Sequence, residues 1–369
     1  MGRFLLLCYP DMTAKDLCDN FSDQHFDEDT LKWLINRHRV WNIVAKNVTK
    51  LDADFFSSEF CHWLKVANER CKQKTLLQLS VQTKLSLQFD ELGIKYRFFK
   101  GIDLSQRLYS DISARFSHDI DLLVDPSDVI KAENVLLSFG YHPLYGLFSD
   151  TDKASLLLKI RVKDKSYQGV NSPLLELHTR VGNVETEFTH EVAHMLLNES
   201  ETLNTIEYLY LCFHAMRSSC HRIKWLVDIA NYYLVMDKQS DCWHQDKWRL
   251  AKKFGLTKHV IVIESLMMTC FGIPTTSKSF FGSKRYENWI LKSWSIPCQG
   301  SGGYLSLVVW PFYLEGSVIN KLIMLKDYCF GISHADRDFI NRYAIRDGKL
   351  VSLMLPIKKL TRLLFREKD

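Results

Sequence analysis

The sequence predicts a mixed α/β chain of the α+β kind, a small mixed sheet set between extensive N- and C-terminal helical regions. Three observations predict it. Apolar residues recur at helical spacing through the first ~90 positions. The period then shortens to that of strands between Ile94 and Val181. Helical spacing returns from Glu191 onward. We expect an N-terminal helical region (1–80), a sheet-bearing core (81–190), a helical region packed on that core (191–292) and a C-terminal helical region (293–369).

In the first region, "DEDTLKWLINRHRVWNIVAKNV" places Leu31, Leu34, Ile35, Val40, Ile43 and Val44 near one helical face. The long stretch from Phe55 runs to Gly93, which fits a helix C-terminal cap. "IKYRFFKG" then alternates Ile94, Tyr96 and Phe98, a strand that stops at Gly101. "IDLSQRLYS" reads as a short helix and "HDIDLLV" as a second strand. In "DPSD", Asp125 is expected to cap a helix with Pro126 at its first position and Asp128 in its first turn. That helix would bury Val129, Ala132, Val135, Leu136 and Phe139 and end at Gly140. "LLLKIRVKD" and "SPLLELHTRV" flank a turn-rich "KSYQGVNSP" and are expected to pair as neighbouring strands. "TIEYLYLCFHAM" and "HRIKWLVDIANYYLVM" read as helices, and "SWSIPCQGSGG" as a loop between helical parts.

Composition narrows the function classes. The 369 residues are 46% hydrophobic and 25% charged, as in an ordinary globular protein. A net charge of +5, from 48 basic and 43 acidic residues, is too mild to mark a nucleic-acid binder, although a local basic cleft is compatible with it. Ten cysteines without a CxxC pair suggest reduced thiols and a cytoplasmic location. "MGRFLLLCYPD" is a poor secretory signal, and Leu6 stands where myristoylation after Gly2 would want Ser or Thr. "YLSLVVWPFYL" is about half the length of a bilayer span and holds Pro311, so no membrane partner is expected.

The chemistry starts at "RFSHDIDLLVDPSD". Strand side chains alternate, so Asp119 and Asp121 project to one face about 7 Å apart. Two like charges there call for a positive partner. In "LLELHTR", Glu176 is a third carboxylate on an otherwise apolar strand. Three such carboxylates suit Mg²⁺ or Mn²⁺, hard cations that accept carboxylates, water and phosphates. A solvated strand edge is the plainer alternative.

Together, "FFKGIDLSQRLYSDISARFSHDIDLLV", "LLELHTR" and "HAMRSSCHRIKWLVDIA" resemble the uncharacterised bacterial nucleotidyltransferase family within the DNA polymerase β-like superfamily. The resemblance implies a nucleotidyltransferase core that moves NMP from an NTP such as ATP to an acceptor, a small molecule, peptide or protein, and releases pyrophosphate. Nucleic acid is a less favoured acceptor. It implies that Asp119 and Asp121 bind metal and that Glu176 is the third acid. Lys100 and Gly101 match the turn into the phosphate-contacting helix, where a Gly would let backbone N–H groups approach phosphate. Ile102 departs from the small or hydroxyl-bearing residue usual after that Gly, which keeps alive an alternative: a catalytically inactive nucleotide- or peptide-binding module in a biosynthetic complex.

Arg115 matches the family arginine and is either a phosphate clamp or an ion-pair partner of an acid such as Asp111. His178 shares a strand face with Glu176 and either orients that acid or touches the acceptor, or else bonds the neighbouring strand's edge. His214, His221 and Asp228 recur at intervals of seven, on one face if a single helix carries them, though "RSSCH" could interrupt it. The family shares this histidine pair and aspartate, which implies an acceptor-binding helix; helix-packing histidines are the alternative.

Overall fold

In a computed structural model of the chain, the described residues are 2–9, 12–13, 27–51, 55–144, 164–182, 185–198, 203–239, 242–277, 279–280, 282–295 and 303–330. The helices are α1 (Gly2–Leu7), α2 (Glu28–His38), α3 (Trp41–Val48), α4 (Ser58–Glu91), α5 (Gly101–Tyr109), α6 (Val129–Ser138), α7 (Glu187–Asn198), α8 (Thr205–Arg217), α9 (Ile223–Gln239), α10 (Trp243–Lys253), α11 (Thr257–Phe271), α12 (Ser283–Trp294), α13 (Gly303–Leu314) and α14 (Val318–Phe330). The strands are β1 (Tyr96–Phe98), β2 (Asp119–Val124), β3 (His142–Pro143), β4 (Asp164–Gln168) and β5 (Leu174–His178). None of the helices among the described residues is long and apolar enough to cross a membrane.

The five strands form one mixed sheet, ordered β1-β2-β5-β4-β3. β2 and β5 run parallel, and the other neighbours are antiparallel. One face carries Ile120, Leu122, Val124, Tyr167, Leu175 and Leu177, which pack with Leu85 and Phe89 of α4 and Ala132, Val135 and Leu136 of α6. A second, larger core runs from Phe4 of α1 to Leu314 of α13 and takes in Phe99, Leu104 and Leu123. α4 joins the two, with Phe60 and Leu64 in the larger core and Leu85 and Phe89 in the smaller. Its 34 residues span about 50 Å, enough to reach both.

The caps explain where the strands can start. After α4, Gly93 takes φ +62 while its N–H bonds Asp90 O at 3.2 Å and the Ile94 N–H bonds Phe89 O at 2.9 Å. This paired closure turns the chain directly into β1. α6 ends the same way at Gly140, with Tyr141 N–H on Leu136 O.

Several sequence expectations are corrected. Asp125 forms a turn, accepting from Ser127 N at 2.9 Å and Ser127 Oγ at 2.7 Å, and α6 begins only after Asp128. The Asp128 carboxylate is drawn instead to the N–H of Lys95, 3.0 Å away. On α6, Phe139 is 40% exposed rather than buried, and Val129 is only partly covered. The expected pairing with "SPLLELHTRV" exists, but its partner begins at Asp164, so "KSYQ" is strand and not turn; residues 156–163 lie outside the described ones. The loop expected over 293–303 is helix end to Trp294, and 296–302 lie outside the described residues. No correction is needed at "YLSLVVWPFYL", which lies in α13.

Candidate active site

The second face of the sheet carries polar groups. In register, Asp121 stands opposite Glu176, Leu123 opposite His178, Ser166 opposite Glu176 and Asp164 opposite His178. Directly paired residues share a face, so Asp121, Glu176, His178, Asp164 and Ser166 all project the same way. Asp119, two residues before Asp121, joins them.

His178 Nε2 lies 3.1 Å from Asp121 Oδ1 and 3.5 Å from Glu176 Oε2. One ligand atom from each of Asp121, Glu176 and His178 falls within 4.8 Å of the others. The sequence-expected set was Asp119, Asp121 and Glu176; the structure brings His178 into the cluster and leaves Asp119 beside it. The His178 ring is fixed edge-on to Phe99, with centroids 5.2 Å apart.

The turn after β1 lies against this cluster. The Phe99 N–H bonds Asp121 O at 3.2 Å, which extends the β1–β2 pairing to the site. Lys100 has φ 63 and ψ −144, close to a region that is essentially glycine's, and Gly101 follows at φ +45. This backbone delivers Lys100 Nζ to 3.4 Å from Asp121 Oδ1, over Phe99 and Tyr210. Burial opposes the lysine charge, but Asp121 and then Tyr210 outweigh it and hold its pKa above the ordinary value. The Asp119 pKa is raised as well, by burial and then by Asp121 and Glu176, against the pull of Lys224 and Lys100, and for a carboxylate this disfavours the charged form.

Ile102 is buried, so its side chain turns away from solvent. A hydroxyl is nevertheless at hand. A Cβ on Gly101 would meet Ser117 Oγ at 3.7 Å, and that hydroxyl bonds Asp119 O at 3.0 Å.

Arg107 anchors α5 by donating from both terminal nitrogens to Glu207 of α8, each at 2.6 Å. Arg115 pairs with neither Asp111 nor a phosphate-facing group through its Nε, which donates to Asp228 Oδ2 at 2.7 Å. Tyr109 Oη donates to the other Asp228 oxygen at 3.0 Å. The 214–228 stretch is not one helix: Ser219 and Cys220 take φ 49 and 45 between α8 and α9. His214 and His221 instead flank Trp225, ring centroids 5.6 and 4.7 Å away. His221 Nδ1 donates to Ser218 O at 2.9 Å, and burial lowers its pKa.

Sequence reasoning passed over Asp164, Ser166, Tyr210 and the basic residues Arg39, Lys74 and Lys224. Only Lys224 left a signal, as a cation within the first turn of a mostly apolar helix.

Comparison with curated proteins and with solved structures returns no match. Residues 24–272 match the family described as uncharacterised nucleotidyltransferase. That span takes in α2 through α11 and every residue of the cluster, and the chain therefore belongs to the uncharacterised nucleotidyltransferase family.

Proposed function

We propose that the chain is a divalent-cation-dependent nucleotidyltransferase of the DNA polymerase β-like type. The observation that carries this reading is the convergence of Asp121, Glu176 and His178, with Asp119 beside them, on a sheet face next to the Lys100–Gly101 turn.

Two carboxylates and an imidazole fit Mg²⁺ or Mn²⁺, the nitrogen donor favouring Mn²⁺. Asp121, Glu176 and His178 would hold the ion, which when bound supplies neutralisation of phosphate charge. In the transfer, an acceptor oxygen bonds to the α-phosphorus of an NTP. The bond from that phosphorus to the bridging oxygen breaks, pyrophosphate leaves, and Glu176 takes the acceptor's proton. Lys100 balances Asp121 until substrate arrives. The free cysteines among the described residues support a reducing, cytoplasmic setting.

Incubation with each α-labelled NTP, Mg²⁺ or Mn²⁺ and a lysate of the host should label a product. Asp121→Asn and Glu176→Gln should each abolish the label while the circular dichroism spectrum stays unchanged. Equal labelling by the wild type and both variants would refute the reading.

The Lys100–Asp121 pair favours one competitor, a binding module in which the lysine stands where a cation would act. Calorimetry separates them. NTP binding that requires the divalent cation supports the enzyme, and binding indifferent to it supports the module.

A further inference from the structure

The segment between α5 and β2, residues 110–118, is gripped from several sides. Asn42 of α3 donates to Ser113 O, and Gln78 of α4 donates to Ser117 O at 3.4 Å and Asp119 O at 3.3 Å. Around it gather four basic side chains that the chemistry above does not use. Lys74 of α4 has Nζ 3.0 Å from His118 Nδ1 and 5.4 Å from the centre of the Phe116 ring. Lys224 of α9 reaches the same residue from the main-chain side, Nζ 3.4 Å from Phe116 O. Arg39, in the left-handed region at φ 57, follows α2, and among the described residues no carboxylate or carbonyl bonds its guanidinium. Arg115 is buried, and while Nε holds Asp228, its Nη1 has no hydrogen-bond partner among the described residues.

These cations are close enough to disfavour one another. Burial, then Arg115, lowers the Lys224 pKa to about 7, with Arg39 adding to the effect. Burial lowers Arg39 and Lys74 too, and Arg39 adds to the shift of Lys74. Asp119 draws Lys224, Arg39 and Lys74 together, but it is one carboxylate, and Asp228 is already shared by Arg115 and Tyr109. Partly desolvated like charges with spare donors are stabilised by an anion. The cluster gathers around one short loop, which fits a compact polyanion better than an extended nucleic-acid backbone.

We infer that Arg39, Lys74 and Lys224, with Nη1 of Arg115, form a cradle for the polyphosphate tail of a nucleoside triphosphate, beside Asp119 and outside the Lys100–Gly101 turn. This rests on the nucleotidyl-transfer reading of the site. The cradle draws residues from the N-terminal helices and from α9, so phosphate would be held by helices on both sides of the loop.

The test is titration calorimetry of the full chain with inorganic tripolyphosphate, in wild type, Arg39→Gln, Lys74→Gln and Lys224→Gln, with Lys131→Gln, an exposed side chain of α6, as control. Each cradle variant should bind about tenfold more weakly or worse, the usual effect of losing a hydrogen bond to a charged group, and the control should match wild type. Thermal melts within experimental error of wild type confirm that folding is intact; Arg39 and Lys74, each partly exposed, keep the test open if Lys224→Gln melts early. Undetectable binding by the wild type, unchanged affinity in Arg39→Gln and Lys74→Gln, or tighter Arg39-dependent binding of a single-stranded oligonucleotide would overturn the inference. NMP transfer with an unaltered KM for NTP in these variants would overturn the cradle and leave the transfer reading standing. Arg39-dependent tripolyphosphate binding without any NMP transfer would do the reverse.

Discussion

Replacing Asp228 tests how the loop that leads into β2 is held. Its carboxylate takes Arg115 Nε at 2.7 Å and Tyr109 Oη at 3.0 Å, and the Arg115 and Asp228 side chains are only 6% and 5% exposed. Asp228→Ala leaves the Arg115 charge buried without its partner, at a cost of about 3–5 kcal/mol. It also strands the Tyr109 hydroxyl, worth a further ~1 kcal/mol or more, though the two losses overlap. Against a typical total of about 5–15 kcal/mol, this is a large share. Urea unfolding followed by fluorescence and circular dichroism should show a lower midpoint at unchanged slope. The double replacement Arg115→Met, Asp228→Leu should recover most of the loss, because the uncompensated charge is gone. A loss below about 1 kcal/mol in Asp228→Ala, or additive effects in the cycle, would refute the view that this pair locks the loop.

Two further predictions concern protons. His38 is buried, its Nε2–H donating to Trp294 O and its Nδ1 accepting the Ile223 N–H, each at 3.2 Å, so the neutral ring satisfies both partners. Burial lowers its pKa to about 3, so its contribution is complete above the unfolded value and is lost as pH falls from there toward 3. At pH 5 the loss is about 2 kcal/mol, and equal unfolding midpoints at pH 7 and pH 5 would contradict it. Lys224, with a pKa of about 7, is largely neutral at pH 8, and a bound polyanion would raise that value. Tripolyphosphate binding at pH 8 should therefore take up close to one proton, read from calorimetry in buffers of different ionisation enthalpy, and far less at pH 6; no buffer dependence at pH 8 would count against it.

Much of the site was legible because its residues break the pattern around them. Asp119, Asp121 and Glu176 interrupt apolar strands, and Gly93 and Gly140 punctuate helices with the geometry their residue type favours. What stayed hidden depends on distant partners. "KSYQ" looked like turn because Lys165 and Tyr167 carry polar ends, but both bond Glu133 on α6, more than thirty residues away. For Arg115 the sequence offered a phosphate or a nearby acid such as Asp111, because its actual partner, Asp228, lies on α9. The break between His214 and His221 is made by Ser219 and Cys220 in left-handed conformation, residue types that seldom announce it. His178 looked like a helper of Glu176 because only the parallel register sets it against Asp121.

That register has a consequence for how accurately the site is assembled. Asp121 and Glu176 come from strands separated by some fifty residues of intervening chain, and their alignment rests on one parallel pairing. If β5 slid by a single residue, Leu175 and Leu177 would turn toward the polar face that carries Asp119 and Asp121, and Glu176 and His178 into the apolar layer of α4 and α6. Each misplaced polar group would cost several kcal/mol, so the misaligned pairing is rejected during folding. The leucines lie on the face opposite the carboxylates, yet they act as the proofreaders of their alignment, and a change that softened their packing would blur the spacing of the carboxylates before it unfolded the protein.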